Sequence, residues 1–66
     1  MDAKMLRIEM RKNHVTQKEL AEKCGISTTT FSKKMNDLGL FTCREALIIS
    51  TTLHLSPMDR AVIFLL

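Results

Sequence analysis

The 66-residue chain contains no tryptophan, no tyrosine, one proline, two glycines and three phenylalanines. Because large aromatic side chains are so few, we expect a core that is mainly aliphatic and rich in methionine, with Met5, Met10, Met35 and Met58 as candidates. A chain of this length forms a single domain, residues 1–66, and buries only about 60% of its unfolded surface. Good helix packing, or association between copies, is therefore needed for stability.

Cysteine and histidine are also scarce. Cys24 and Cys43 do not form a CxxC pair, and His14 and His54 stand alone, without further ligands at zinc-binding spacing. We therefore expect no cofactor, and we interpret both cysteines as free thiols in a reducing compartment, Cys24 on a buried helix face. A redox sensor is the alternative for Cys43, because it lies in the first turn of a predicted helix, where the pKa of a thiol is lowered.

Catalytic and membrane signatures are missing as well. The sequence has no paired-carboxylate site, no nucleophile with an adjacent base and no glycine-rich phosphate loop, so we do not expect an enzyme. Its start leads into a charged amphipathic helix, and the apolar run 61–66 is far shorter than the ~20 residues of a membrane span. We expect a cytoplasmic protein without a membrane partner or an evident small-molecule ligand. The net charge of +3 favours a polyanionic partner.

Hydrophobic periodicity predicts five helices and no strands. The first helix covers residues 2–13, the central pair lies within 17–36, and a loop at 37–40 uses Gly39 as its turn residue. Thr42 and Glu45 have capping-box spacing and open a fourth helix, 43–53. Ser56 and Pro57 open the fifth, 57–64. The predicted buried positions of the first and fourth helices are Ala3, Leu6, Met10, Ala46, Leu47, Ile49 and Leu53.

The most informative segment is 16–36, which predicts two short helices joined by a tight turn. Thr16 and Glu19 have the spacing of a capping box at the start of the first helix. Gly25 can adopt the left-handed conformation that ends this helix, Ile26 is the apolar residue of the turn, and Ser27 can cap the second helix. The predicted buried positions of the pair are Leu20, Ala21, Cys24, Phe31 and Met35.

This segment resembles the helix-turn-helix of the Cro and lambda-repressor family, also called the xenobiotic-response-element-like family. The resemblance covers nearly the whole chain, because residues 41–64 are similar to the last two helices of such domains. It implies a compact all-α, five-helix, lambda-repressor-like DNA-binding domain with the motif at 17–36, of the kind found in small phage or mobile-element regulators. The matching residues are Thr16, Gln17, Glu19, Leu20, Ala21, Gly25, Ile26, Ser27, Phe31 and Asn36.

One position departs from the family pattern. Lys34 lies where many members carry an apolar residue, and Met35 next to it is apolar. Two interpretations follow: the second helix is slightly rotated, or the Lys34 stem lies across the protein surface.

The resemblance implies that residues 28–36 form a recognition helix in the DNA major groove, and that the protein regulates transcription, most simply as a repressor. Thr28 and Thr29 are then placed at base edges, and Lys33 reaches a guanine or a phosphate. In the family the glutamine matching Gln17 anchors a phosphate, which the helix N-terminus reinforces. Further expected backbone contacts are Ser27, Ser32, Lys34 and Asn36.

Threonine lacks the bidentate hydrogen bonding of Arg, Asn or Gln, so one copy should discriminate bases modestly. A homodimer through the C-terminal helix would add specificity, with the alternatives that the apolar tail packs into the core or is the cut end of a longer chain. The rival function is a protein-interaction module with a helix-turn-helix fold, such as an antirepressor or a recombination accessory protein. The apolar tail residues are Val62, Ile63, Phe64, Leu65 and Leu66.

Overall fold

The computed structural model describes residues 2–64, and all regular structure in this range is helical. The prediction of an all-α, five-helix fold is confirmed. A single 3₁₀ turn, Leu38–Leu40, lies between the third and fourth helices where the sequence predicted a loop. The α-helices are α1 (Ala3–Lys12), α2 (Gln17–Cys24), α3 (Thr28–Asn36), α4 (Cys43–Thr52) and α5 (Pro57–Phe64).

Capping side chains define where the helices begin, as the sequence predicted. The Oγ1 of Thr16 accepts a hydrogen bond from the Glu19 backbone N–H at 3.1 Å, and the Glu19 carboxylate accepts from the Thr16 N–H at 3.4 Å. Thr42 and Glu45 form the same reciprocal box at the start of α4. Ser56 caps α5 through a backbone N–H at 3.1 Å. These bonds satisfy N–H groups that have no partner within the helix.

Three helix–helix connections have the same type of turn, and the sequence predicted only the middle one. His14, Gly25 and His54 adopt left-handed conformations with φ of 55°, 74° and 55°. After each, an apolar residue donates its backbone N–H to the carbonyl five residues earlier, which closes a Schellman motif. These bonds join Val15 to Met10 at 2.9 Å, Ile26 to Ala21 at 3.0 Å, and Leu55 to Ser50 at 2.9 Å. The residues that follow, Thr16, Ser27 and Ser56, cap the next helices.

Three phenylalanines meet on one side of the core. The ring of Phe41 contacts Phe31 edge-on, with centroids 5.3 Å apart, and Phe64 at 6.1 Å. Met10 and Met35 are buried as predicted, and Met5 packs at the edge of the core. Edge-to-face aromatic packing therefore joins the expected aliphatic and methionine contacts. The remaining buried apolar residues are Leu6, Leu20, Ala21, Cys24, Ala46, Ile49, Leu53 and Ile63.

Two core predictions are wrong. Leu47 is 53% exposed, because it lies about 200° around α4 from buried Ile49 and the two cannot face the same core. Met58 is 76% exposed, because it lies about 140° around α5 from buried Ile63. Both side chains therefore contribute apolar surface instead of core volume.

The turn at Gly39 also differs from the prediction. The glycine forms part of the 3₁₀ turn instead of an open loop, and its N–H donates to the Asp37 carboxylate at 3.2 Å. A second bond, from the Leu40 N–H to the Asp37 carbonyl at 3.0 Å, closes the turn. Asp37 is thus the residue that organises this connection.

Candidate nucleic-acid interface

The surface that the sequence assigned to DNA lies on α3. Phe31 and Met35 are almost completely buried, so the opposite side of the helix, which carries Thr29, Lys33 and Asn36, faces solvent. Ser32 is half-buried on the flank, and Thr28 is exposed because it is the first residue of the helix. We call the surface formed by these five residues the outward face; it consists of Thr28, Thr29, Ser32, Lys33 and Asn36.

The chemistry of the outward face is small, polar and cationic. Hydroxyl groups occupy three of its five positions, Lys33 carries a positive charge, and residues 27–36 include no acidic side chain. Hydroxyl groups both donate and accept hydrogen bonds, while the methyl of threonine can contact the thymine methyl. The face can therefore make polar, apolar and ionic contacts within little more than two helical turns.

Ser27 caps the N-terminus of α3. Its Oγ accepts from the Thr30 backbone N–H at 3.1 Å and donates to the Thr30 Oγ1 at 2.9 Å. Ser27 is predicted from the sequence as a DNA-backbone contact, and Thr30, which was not predicted, is exposed in the same turn. The three-residue spacing of two hydroxyl side chains at a helix start is the signal that would have linked them.

Gln17 and Ser32, both predicted as backbone contacts, are brought together by the fold. The Ser32 Oγ donates a hydrogen bond to the Gln17 Oε1 at 2.9 Å. Gln17 begins α2, whereas Ser32 lies in the middle of α3. The bond therefore places the Gln17 amide beside the outward face.

Lys34 has a different position from Lys33. Its Nζ lies 2.7 Å and 2.9 Å from the two carboxylate oxygens of Glu45, and 5.9 Å from the centroid of the Phe41 ring. The lysine and glutamate side chains are 17% and 8% exposed. Because Phe31 is buried as predicted, α3 is not rotated; the Lys34 stem instead crosses to α4. Lys34 thus has its partner within the protein, whereas Lys33 has its charge on the outward face.

The ion pair also determines the protonation of Glu45. Burial by itself raises the pKa of the Glu45 carboxyl, but hydrogen bonds from Lys34 and Thr42 outweigh burial and hold it below its usual range. Glu45 is therefore ionised at neutral pH, with both oxygens bonded. The capping role of Glu45 is predictable from the sequence, whereas its partner on α3 depends on how the two helices pack.

The two thiols have contrasting surroundings. Cys24 is buried and Cys43 is exposed, and both are free. Burial raises the pKa of the Cys24 thiol, and the Glu45 carboxylate adds to this effect, so Cys24 remains protonated at neutral pH. No group of three or more potential metal ligands occurs in the part of the chain that the structure describes.

One open groove of about 420 Å³ lies between α2 and α4. None of its lining residues belongs to α3, so it is separate from the outward face. The groove is lined by Lys23, Leu47, Ile48, Thr51 and Thr52.

Among residues 2–64, no helix is both long and apolar enough to cross a lipid bilayer.

Comparison with protein-family models, curated proteins and solved structures finds no match to this chain. The likeness to Cro-type domains therefore remains the resemblance carried by the residues of the motif.

Proposed function

We propose that this protein binds duplex DNA through α3, as a small transcriptional regulator of the Cro and lambda-repressor type. The observation that carries the proposal is the outward face: exposed hydroxyls and a lysine on a helix that follows a tight turn, without any acidic side chain. A helix of this kind fits the major groove, which is wide enough to admit it.

The contacts are assigned by position on α3. Thr28 and Thr29, in its first turn, meet base edges, because the N-terminal end of a recognition helix points into the groove. Lys33, one turn later, contacts a guanine or a phosphate. Asn36 follows the same side of the helix toward the DNA backbone. The Gln17 amide, beside the outward face, binds a phosphate together with the N-terminus of α2.

Selection of bound sequences from a random duplex pool tests this assignment. We expect an enriched motif of a few base pairs, and a Thr28→Ala, Thr29→Ala double variant that loses the preference while it still binds random DNA. Substitution of exposed Thr51 on α4 is the matched control and should leave the motif unchanged. Recovery of the same motif by the double variant, or of no motif by the natural protein, would contradict the assignment.

Two copies of the protein would read a site more selectively than one. On α5, Met58 is 76% and Val62 is 47% exposed, and their four-residue spacing places them on one side of the helix. Ile63 and Phe64 of the apolar tail are buried, whereas Leu65 and Leu66 lie outside the described residues. We propose that Met58 and Val62 contribute to a homodimer contact.

Light scattering over a concentration series checks the dimer. A doubling of mass that is abolished by Val62→Glu, but not by Thr51→Glu, supports the contact. A strict monomer that binds an enriched site tightly would refute it.

A protein-interaction module with the same fold is the second candidate. Exposed Leu47 beside the groove between α2 and α4 is the observation that favours it, since exposed apolar surface is typical of protein contacts. Binding of random duplex DNA that is absent, or independent of salt, would favour this second function.

A further inference from the structure

Lys33 and Lys34 are adjacent in the sequence but have opposite surroundings. One residue corresponds to about 100° around a helix, so Lys33 lies on the outward face while Lys34 lies on the flank next to α4. Lys33 is exposed, whereas the Lys34 side chain is only 17% exposed. The charge of Lys34 is thus used inside the protein.

Glu45 is itself fixed in place. Its Oε1 accepts from the Thr42 backbone N–H at 2.9 Å as well as from the Lys34 ammonium at 2.7 Å. The carboxylate therefore belongs to the first turn of α4, where both its helix and its capping bond restrict its movement. A lysine bound to it ties α3 to a rigid point of the neighbouring helix.

A second tie joins α3 to a different helix. The Ser32 hydroxyl bonds to Gln17 at the beginning of α2, so side-chain bonds from Ser32 and Lys34 hold α3 on two flanks. Burial of Phe31 and Met35 fixes the side of α3 that faces the core, and the contacts to two separate helices restrict the smaller rotations about the helix axis that this apolar stripe still allows. Rotation matters because it decides which side chains point outward.

We propose that the Lys34–Glu45 ion pair is a positioning device, which sets the orientation of α3 relative to α4 and thereby aligns the outward face with DNA. A buried ion pair contributes little net stability, because desolvation of the charges offsets their attraction, but it can select one arrangement among similar packings. The inference rests on the proposed function, since alignment has a consequence only where α3 reads a ligand. Lys34 acts through the orientation of the helix and touches no DNA.

The test compares Lys34→Met, which keeps the apolar stem, with Lys33→Met on the outward face. Each variant and the natural protein are titrated with the selected duplex and with a random duplex over a series of salt concentrations. For Lys34→Met we expect affinity for the selected duplex to fall on the order of tenfold, the cost of about one base contact. Affinity for random duplex should change less than about twofold, and the salt dependence should be unchanged, because no phosphate contact is lost.

Lys33→Met should behave differently if it loses a phosphate contact. Its affinity should fall on both duplexes, and the slope of log affinity against log salt should become shallower by about one. A similar loss of slope in Lys34→Met would show that Lys34 contacts phosphate directly, and would overturn the positioning role. Unchanged affinity for both duplexes in Lys34→Met would also overturn it.

The orientation of α3 can also be measured without DNA, which tests the positioning role independently of the proposed function. Residual dipolar couplings report the orientation of each helix, and in Lys34→Met we expect α3 to turn relative to α4 while α1 and α5 keep their mutual orientation. Failure of the natural protein to bind DNA would defeat the proposed function, and an unmoved α3 would defeat the positioning role. If Lys34→Met does not fold, the Lys34→Met, Glu45→Gln double variant removes both buried charges, keeps an acceptor for the Thr42 N–H and undergoes the same measurements.

Discussion

The Ser32 hydroxyl donates a hydrogen bond to the side-chain oxygen of Gln17, across 15 positions of the sequence, at 2.9 Å. Because the amide oxygen of Gln17 is the acceptor, the NH₂ group of the same amide is the part that can donate outward. An amide with a defined orientation at a helix N-terminus is a suitable phosphate ligand. Ser32 therefore acts on the proposed interface by orienting Gln17.

Removal of this bond should weaken DNA binding more than it weakens the fold. For Ser32→Ala we expect the affinity for duplex DNA to fall about three- to tenfold, which is the net energy of one hydrogen bond. The free energy of unfolding should change by less than about 1 kcal/mol, because alanine has the better helix propensity. Parallel titrations and urea unfolding measure the two effects, with Thr51→Ala as the control. Full DNA affinity in Ser32→Ala would rule out this role.

Acid should destabilise the protein through Glu45. The pKa of its carboxyl is lowered in the folded protein, so ionisation contributes stability that is fully present above the ordinary value near 4.5. This contribution is lost as the pH falls below that value and through the lowered pKa, because over this range the unfolded state binds the proton more readily than the folded state. We expect Glu45→Gln to flatten the dependence of unfolding free energy on pH below 4.5. Urea unfolding between about pH 3 and 7 measures the curve. An identical curve for the variant would exclude this linkage.

The two thiols should differ strongly in reactivity. Cys43 is exposed, whereas Cys24 is buried and has a raised pKa, so its reactive thiolate is rare. We expect one equivalent of an alkylating reagent to react rapidly with the native protein at Cys43, and a second only after unfolding. Peptide mass spectrometry identifies the modified site. Rapid labelling of Cys24 in the native state would contradict the packing of α2.

Two of the repeated turns should respond oppositely when glycine is introduced at one and removed from the other. A non-glycine residue in the left-handed region lowers stability by roughly 1–2 kcal/mol. Glycine avoids this cost, but it loses more conformational entropy on folding, which offsets part of the gain. We expect His54→Gly to stabilise the protein by about 0.5 kcal/mol, seen as a rise in Tm of a few degrees. Gly25→Ala should destabilise it by about 1 kcal/mol. Since no atom lies within 4 Å of a Cβ added at Gly25, the loss would come from the backbone alone. A destabilised His54→Gly variant would show that the His54 side chain makes a contribution larger than the strain.

Local sequence signals predict where α2 and α4 begin and where the turn between α2 and α3 lies. Thr16 and Glu19, or Thr42 and Glu45, interact within four residues, so their capping boxes depend on nothing outside the segment. Gly25 predicts the turn after α2, because glycine adopts positive φ without a steric penalty. His14 gives no such signal, because a positive φ is uncommon for residues other than glycine.

Contacts between helices are harder to predict from the sequence. Leu47 and Met58 are as hydrophobic as the residues that are buried, and only the direction of each helix decides which side faces the core. The outward position of Lys33 is predictable because the buried stripe of α3 fixes the opposite side, whereas Thr28 is exposed as the first residue of the helix. The ion pair of Lys34 could not be predicted, because its partner Glu45, 11 residues away on another helix, is not visible in the sequence of α3.

The salt dependence of binding to random duplex DNA tests the central claim most directly. If Lys33 contacts a phosphate, it releases about one counterion, and affinity should fall about three- to fourfold for each bound copy between about 50 and 200 mM salt. Lys33→Met should make this dependence shallower by about one unit of log slope. Binding that is absent, or that does not change with salt in either protein, would contradict the assignment of α3 to DNA.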